Sequence, residues 1–253
     1  MITYKQADDY AAMAIAGAAV AEVLAEVRNA AVPGVSLEDL DRIAATIIRD
    51  RGCTPSFLGY HGFPASICAS PNSAIVHGIP GDYRIVDGDI LSIDAGAIYK
   101  GWHGDGAVTF AVGSVPKAVV QLIATTADAL DAGIAEAKHG NRVGDIGAAV
   151  SGVAAPHGYG VVREYVGHGI GQQMHEEPQI PNYGTPGRGL KLKSGMAVAI
   201  EPMFNLGGPE TAVLDDEWTV VTADGSLSAH FEHTVAITPD GPKVLTALTS
   251  VDA

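Results

Sequence analysis

The stretch that decides the fold runs from Gly88 to Gly113 and reads GDILSIDAGAIYKGWHGDGAVTFAVG. Large apolar residues give strand composition to both sides of the polar segment Tyr99-Lys100-Gly101, which predicts a hairpin. A turn centred on that segment places Asp94 opposite Asp105, with Cβ atoms about 4.5–5.5 Å apart. Two carboxylates this close in an apolar setting repel, so one takes a proton or a cation lies between them. For this hairpin alone, two solvated aspartates at strand ends are an equal alternative.

The same pattern recurs further along the chain. Residues 195–201 read GMAVAIE and repeat the GDILSID of the first strand, so that Glu201 stands where Asp94 does. The segment EHTVAIT, which begins at Glu232, repeats the shape of DGAVTFA, which begins at Asp105. Each repeat therefore supplies one acid from a first strand and one acid from its returning strand.

A helical opening is repeated upstream of each strand pair. The segments VSLEDL at 35–40 and NRVGDI at 141–146 share one spacing, and the helical patterns that follow end at Gly52 and Gly158. Self-similarity of this kind predicts two related halves that bring four carboxylates to a central seam. Four buried acids without cations would be very unfavourable, so a metal cluster is the simplest explanation.

Composition bounds the class of protein. The 253 residues are 47% hydrophobic and 17% charged, which is typical of a compact protein. We expect one catalytic domain over residues 1–253, with halves at about 1–115 and 116–253. The net charge of -14 argues against nucleic acid and against an anionic membrane as partners. Only Cys53 and Cys68 are present, so we expect no disulfide framework and a cytoplasmic location.

Helical patterns occupy much of the remaining chain. The apolar run at 11–21 is too short to span a bilayer, and no signal peptide is expected before it. Ser36 is a good N-cap, and Asp39, three residues on, forms an imperfect capping box with it. The predicted helices cover 7–30, 37–52, 116–138 and about 142–155.

Residues 53–81 have no regular period and are rich in glycine, proline and aromatic residues, which predicts a loop with short strands. Such a loop can form the wall of an apolar ligand pocket. The alternative is a packed surface loop anchored by its aromatic residues, and this is favoured for His61 taken alone. His77 is a better candidate for chemistry because it directly precedes the first acid-bearing strand. The wall candidates are Tyr60, His61, Phe63, Cys68 and His77.

Two histidines lie in the glycine-rich segment 165–177. His168 and His175 are seven residues apart, which is not the helical spacing of a two-histidine zinc site. Beside a carboxylate cluster, one can be a metal ligand and the other a polarising group. Trp218 belongs either to the core or to the pocket wall.

The donor set is dominated by oxygen and suits two divalent ions that share bridging carboxylates. It contains no thiolate, which argues against a structural cysteine–zinc site and leaves Mn, Fe(II), Co and Zn open. The predicted ligands are Asp94, Asp105, His168, Glu201 and Glu232.

Taken together, these residues resemble the type 1 methionine aminopeptidases, and the resemblance extends from the first helix to about Pro239. The motifs that carry it are IDAG at 93–96, HGD at 103–105, GHGIG at 167–171, IEP at 200–202, FEHT at 231–234, GYHGFP at 59–64 and NSAIVHGIP at 72–80. The family implies an α+β pita-bread (creatinase/aminopeptidase) fold, with two pseudo-symmetric halves around a curved antiparallel sheet.

The resemblance also implies the roles of the metal ligands. Asp94 would chelate one ion, His168 and Glu201 would serve the other, and Asp105 and Glu232 would bridge them. A hydroxide activated by the two ions would attack the carbonyl after the N-terminal methionine, with Glu201 as the proton shuttle.

Further roles follow from the same resemblance. His175 would polarise the carbonyl oxygen, and His77 would contact the scissile amide. Tyr60, Phe63, Cys68, Met174 and Trp218 match positions that line the methionine pocket. This chain departs from many relatives at Met174, at Phe57, and at Gly106, where Thr or Ser often follows HGD.

The implied function is metal-dependent removal of N-terminal methionine from peptides and nascent chains, including at the ribosome, by a cytoplasmic monomer of the short bacterial type. One alternative is an Xaa-Pro aminopeptidase or prolidase-like peptidase, although such relatives usually carry a further N-terminal domain. The other is a non-catalytic pita-bread protein that binds peptides or ribosomes, although such relatives lose metal ligands that are present here.

Overall fold

The computed structural model describes residues 2–247. Its α-helices are α1 (Ala7–Ala30), α2 (Leu37–Asp50), α3 (Lys117–Glu136) and α4 (Val143–Ala154), and short 3-10 turns occur at Tyr60–Gly62 and Ala155–His157. Its strands are β1 (Thr54–Pro55), β2 (Ile67–Pro71), β3 (Ala74–Val76), β4 (Ile90–Tyr99), β5 (Trp102–Ala111), β6 (Gly160–Val161), β7 (Gly167–Gly169), β8 (Glu176–Ile180), β9 (Ala197–Ile200), β10 (Met203–Asn205), β11 (Thr211–Val213), β12 (Val220–Thr222), β13 (Ser228–His230), β14 (Glu232–Thr238) and β15 (Gly241–Val244).

Nine of the described strands form one antiparallel sheet in the order β1-β4-β5-β14-β9-β7-β8, with β2 paired to β4 and β15 paired to β14. Two small antiparallel sheets, β13-β10-β6 and β11-β12-β3, flank it. The strands of the first predicted half meet those of the second where β5 pairs with β14. The expected α+β class with a central antiparallel sheet is confirmed.

Helices α1 and α2 pack on the first part of this sheet. The capping box predicted at the start of α2 is present, with the Asp39 amide donating to Ser36 Oγ at 3.2 Å. Ile93 and Leu91 of β4 point toward α1 and α2 and are fully buried with Val20 and Leu40. Because side chains alternate along a strand, Ser92 and Asp94 face the opposite side of the sheet.

Helices α3 and α4 form a second apolar core with β9 and β14. Leu122, Ile146, Ile200 and Val235 are fully buried in this core. Both helices lie within their predicted ranges, and Pro116 is the N-cap of α3 rather than a residue of its first turn. The division into halves at about residue 115 remains a prediction.

The predicted register of the β4–β5 hairpin was wrong by two residues. Asp94 pairs with Ala107, and Asp105 pairs with Gly96. The reason is the turn, in which Lys100 and Gly101 both have positive φ, 49° and 82°, so the loop has two residues and centres between them. A shift of two leaves each side chain on its original face, and both aspartates therefore still share one face of the sheet.

Two helices, α1 and α3, have the length and composition of membrane-crossing helices. The most apolar window of α1 is 56% buried inside the protein, and that of α3 is 39% buried. In α1 the buried residues include Met13, Val20 and Val27, which pack on the sheet. Helix α1 is therefore a core helix, and α3 buries Leu122 and Leu130 in the second core.

Candidate functional site

The candidate site is a cavity of about 310 Å³ over the face of the central sheet that carries the acids. Strand pairing explains their convergence, because Asp94 pairs with Ala107, which in turn pairs with Glu232. His233 pairs with Ile200, so Glu201, one residue beyond β9, stands next to Glu232. One row across four neighbouring strands thus carries three of the acids.

Asp105 is the fourth acid and lies two residues along β5 from Ala107, on the same face. Its backbone is held by the Thr234 hydroxyl, which accepts from the Asp105 amide at 2.9 Å and donates to its carbonyl at 2.8 Å. His168 of β7 completes the group, with Nε2 at 4.0 Å from Asp105 Oδ2 and 3.7 Å from Glu201 Oε1. We call these five residues the acidic floor.

The acidic floor has the properties of a metal site. Ligand atoms of Asp105, His168 and Glu232 lie within 4.8 Å of one another. Within residues 2–247, no hydrogen-bond partner reaches the buried oxygens Asp94 Oδ1, Asp105 Oδ1 or Glu232 Oε1. Buried carboxylate oxygens are normally paired or coordinate a metal. This donor set of four carboxylates and one imidazole fits divalent cations.

Burial dominates the electrostatics of the floor. It raises the pKa of Asp105 to about 7, and together with the Asp105 charge it raises the pKa of Glu201 to about 8. Burial and the neighbouring acids raise the pKa values of Asp94 and Glu232 well above their usual range. Burial, followed by His175, lowers the pKa of His168 to about 3, so this imidazole is neutral and able to bind a metal.

An apolar wall stands above the floor. Phe63 contacts two other aromatic rings of this wall. Its ring centroid lies 6.5 Å from that of Phe57 and 5.1 Å from that of Trp218. Trp218 is held in a turn by Asp216, whose carboxylate accepts from the Trp218 amide at 2.9 Å. We define the apolar wall as Phe57, Tyr60, Phe63, Cys68, Met174 and Trp218.

His175 and His77 line the same cavity. The His175 ring centroid lies 4.2 Å from that of His168, and its Nδ1 lies 2.8 Å from the Tyr60 hydroxyl. Burial, followed by His175, lowers the pKa of His77 to about 4. Burial, followed by His61, lowers the pKa of His175. Both rings are therefore neutral at pH 7.

All twelve residues singled out from the sequence line this one cavity, and their individual roles remain predictions. They are Tyr60, Phe63, Cys68, His77, Asp94, Asp105, His168, Met174, His175, Glu201, Trp218 and Glu232. Trp218 lies in the wall, which decides between the two readings of its position.

Three further residues lie at the site beyond those predicted for it. Phe57 and His61 also line the cavity. From the sequence, Phe57 was named only as a departure from the relatives, and His61 was named as a wall candidate for which a surface loop was favoured. His230 lies behind Glu201, with Nε2 at 3.8 Å from Glu201 Oε2 and without a hydrogen-bond partner in the described chain. Its position two residues before Glu232 was the only sequence signal.

Comparison with known proteins identifies relatives of this arrangement. The model of metallopeptidase family M24 matches residues 11–239. Methionine aminopeptidase 1 of Mycobacterium tuberculosis is 52% identical over 97% of this chain and 95% of its own length.

Solved structures agree. Methionine aminopeptidase of Thermotoga maritima superposes with a TM-score of 0.96 at 43% identity, over 98% of this chain and 100% of that chain. Prolidase of Pyrococcus furiosus shares the fold at a TM-score of 0.77, but with 22% identity and with only 65% of its length covered.

Proposed function

Because this chain belongs to metallopeptidase family M24, among the methionine aminopeptidases, we propose that it removes the N-terminal methionine from peptides and nascent proteins. The observation that carries the proposal is the cavity itself, in which the acidic floor lies directly below the apolar wall. The floor offers donors for the ions that hydrolysis needs, and the wall offers an apolar site for an unbranched thioether side chain.

The floor is proposed to hold two divalent ions. Asp94 would bind one ion, His168 and Glu201 the other, and Asp105 and Glu232 would bridge them. Ions bound there supply Lewis acidity toward a carbonyl oxygen and lower the pKa of water. The orphaned carboxylate oxygens on three of these residues support the assignment.

Glu201 is proposed to carry the proton. Its carboxylate lies at the end of β9, beside the position of Glu232, and would take the proton of the attacking water and return it to the leaving amine. The carboxylate faces His168 on one oxygen and His230 on the other.

His175 is proposed to stabilise the developing oxyanion. If Tyr60 donates its hydroxyl hydrogen to His175 Nδ1, the ring proton is left on Nε2. Nε2 can then donate a hydrogen bond to the carbonyl oxygen as it gains negative charge. His77, which is neutral and lines the same cavity, would contact the scissile amide.

The wider setting is also proposed by family membership. The substrates would be N-terminal methionine peptides and nascent chains, including those at the ribosome, and the enzyme would act as a cytoplasmic monomer. Residues 1–253 would form one catalytic domain whose halves meet near residue 115.

Two alternatives compete with this proposal. A prolidase-like activity is favoured by the fold shared with prolidases, but at 22% identity that similarity supports the fold alone. A non-catalytic binding role requires that metal ligands be dispensable. The intact donor set of the acidic floor argues against it.

The test is cleavage of the peptides Met-Ala-Ser and Ala-Pro-Ser by protein stripped of metal with a chelator. Each peptide is incubated with and without added Mn, Co, Fe(II) or Zn, and the released amino acid is quantified. We expect release of methionine that depends on added metal, with a titration endpoint of two ions per chain.

The other outcomes are informative. Release of alanine before proline would move the chain to the prolidase branch. Binding of metal without cleavage of either peptide would favour a binding role. A titration endpoint of one ion would contradict the dinuclear assignment.

A further inference from the structure

A buried ion pair joins the N-terminal segment to the loop that carries His175. Lys5 Nζ lies 2.8 Å from Glu176 Oε2, and the two side chains are only 2% and 4% exposed. Thr3 ties the pair together, since its hydroxyl oxygen accepts from Lys5 Nζ at 2.7 Å and donates to Glu176 Oε2. The partners are 171 residues apart in sequence, so only the tertiary fold brings them together.

The position of Lys5 is itself fixed from two sides. Its amide donates to the Gly195 carbonyl at 2.7 Å, just before β9. The hydroxyl of Tyr10, in the first turn of α1, donates to the Met196 carbonyl at 2.8 Å. The segment before α1 is therefore anchored beside the strand that leads to Glu201.

Glu176 uses its other carboxylate oxygen to close the turn that contains His175. Oε1 accepts from the Gln173 amide at 3.3 Å. Gly171 opens this turn, and a Cβ atom there would lie 2.6 Å from Glu176 Oε1 and 2.7 Å from Lys5 Cε. The turn is thus built around the ion pair, and a larger residue at Gly171 would require the ends of the Glu176 and Lys5 side chains to shift.

The cost of such a pair argues for a role beyond stability. Removing two charges from water is unfavourable, and a buried ion pair often contributes little net stability. Burial indeed dominates the pKa of Lys5 and lowers it, despite the hydrogen bond to Glu176. What the pair supplies is geometry, because it holds the loop to a second element of the protein.

His175 is the group in this loop whose geometry matters most. It directly precedes Glu176 and lines the cavity, where the Tyr60 hydroxyl contacts its ring. Tyr60 restrains the His175 ring from the wall side, and the hydrogen bonds of Glu176 to Lys5 and Gln173 restrain the backbone. Without the contacts of Glu176, this loop would keep the Tyr60 contact and the hydrogen bonds of Gly171, which accepts from the His103 amide at 2.9 Å and donates to the Gln173 carbonyl at 3.0 Å.

We propose that Lys5, acting through Glu176, is a positioning residue that sets the location of His175 in the cavity. The catalytic role of His175 in this inference rests on the proposed function. The contact by which Lys5 holds the loop is independent of that function and can be measured separately.

The test compares Lys5→Met with wild type for kcat, KM and bound metal on Met-Ala-Ser. We expect kcat to fall roughly 10- to 100-fold, with KM changed less than kcat and metal content unchanged, because misplacement of a catalytic group by about 1 Å has effects of that size. Lys117→Met, an exposed lysine at the start of α3, is the matched control and should behave as wild type.

A double variant separates positioning from general structure. If Lys5 acts through His175, Lys5→Met/His175→Ala should be no slower than His175→Ala alone. Losses that add, or an unchanged kcat in Lys5→Met, would overturn the inference. Thr3→Val changes an exposed residue and keeps both charges, so it folds even if Lys5→Met does not, and it should give a smaller decrease in kcat.

Amide hydrogen exchange supplies a readout that needs no activity. In Lys5→Met, the amides of residues 171–176 should exchange faster than in wild type, while those of α2 should not change. Unchanged exchange in the loop would overturn the inference. Failure of the wild-type protein to release methionine would overturn the proposed function instead, and the exchange rates would still decide whether Lys5 holds the loop.

Discussion

The acidic floor and the apolar wall meet in one cavity but are built from different kinds of structure. The floor lies on β4, β5, β7 and β14 and at the end of β9, where backbone pairing sets the spacing of the side chains. Most of the wall lies in connections, with Phe57, Tyr60 and Phe63 between β1 and β2, Met174 between β7 and β8, and Trp218 between β11 and β12.

The difference shows how the two tasks are divided. Metal ligands must be held to a fraction of an ångström, and a hydrogen-bonded sheet provides that precision. A pocket for a flexible apolar side chain tolerates more variation, and loops on a rigid scaffold provide it. Changes in the floor should therefore affect metal binding and catalysis, whereas changes in the wall should affect substrate binding.

The largest effect is expected from Asp105→Asn. Asn cannot supply the bridging carboxylate, so metal-dependent release of methionine should fall by more than about 100-fold, the upper range for loss of a group that only supports a metal ligand. The fold should be retained, because the substitution removes a buried charge without changing the side-chain volume. Peptide cleavage, bound metal and circular dichroism are the measurements.

Asp128→Asn, on the exposed face of α3, is the matched control. Full activity of Asp105→Asn would contradict the assignment of two ions to the floor.

His175→Ala tests the boundary between the floor and the substrate. Loss of one hydrogen-bond donor to a developing oxyanion should lower kcat by roughly 100-fold or more. Metal content should stay at the wild-type value, because the proposed role of His175 is not that of a ligand. A parallel loss of bound metal would make His175 part of the floor.

Trp218→Leu tests the wall. Removal of the indole opens the apolar cavity beside Phe63, and kcat/KM for Met-Ala-Ser should fall about tenfold, as expected for a change in apolar complementarity. Bound metal should not change. The other tryptophan, Trp102, lies outside the cavity, so Trp102→Leu is the matched control. A loss of metal in Trp218→Leu would contradict the separation of wall and floor.

The smallest effect is expected from pH on the metal-free protein. The folded-state pKa values of Asp105 and Glu201, about 7 and about 8, lie above the ordinary carboxyl values of 3.8 and 4.5. Between pH 5 and 8 the folded state thus binds more protons than the unfolded state, and the free energy of unfolding falls as pH rises. A metal ion must displace these protons to bind, so the affinity for metal increases as pH rises.

Thermal unfolding at pH 6 and pH 8.5, with EDTA or with Mn, measures this dependence. The Tm in EDTA should be lower at pH 8.5 than at pH 6, and the increase on adding Mn should be larger at pH 8.5, by at least about 2 °C. In the Asp105→Asn variant, the difference in Tm between the two pH values and the pH dependence of the increase with Mn should both be smaller. Equal increases at the two pH values would count against buried, protonated acids in the floor.

Much of the molecule could be predicted from local pattern. The helix at 7–30 was predicted from its composition and an approximate apolar stripe, and the helix at 37–52 from its capping box and apolar residues. The structure has them at Ala7–Ala30 and Leu37–Asp50. The hairpin was predicted, but its register was not, because positive φ at both Lys100 and Gly101 selects a two-residue turn. That error did not move the aspartates off the shared face, since strand faces alternate with a period of two residues.

The sequence alone indicated the α+β fold class through its family resemblance, and it predicted the internal repeat and the five residues that the structure brings together in the acidic floor. These predictions depend on short motifs, which can be recognised without knowing how the chain folds. Tertiary structure decided which distant residues touch. The row from Asp94 through Ala107 to Glu232 depends on β5 pairing with β14. The contact of Lys5 with Glu176 has no local signal at all, and the signal for His230 beside Glu201 was limited to its position two residues before Glu232. Such contacts join segments far apart in the chain, and their geometry is set only when the two cores pack against the same sheet.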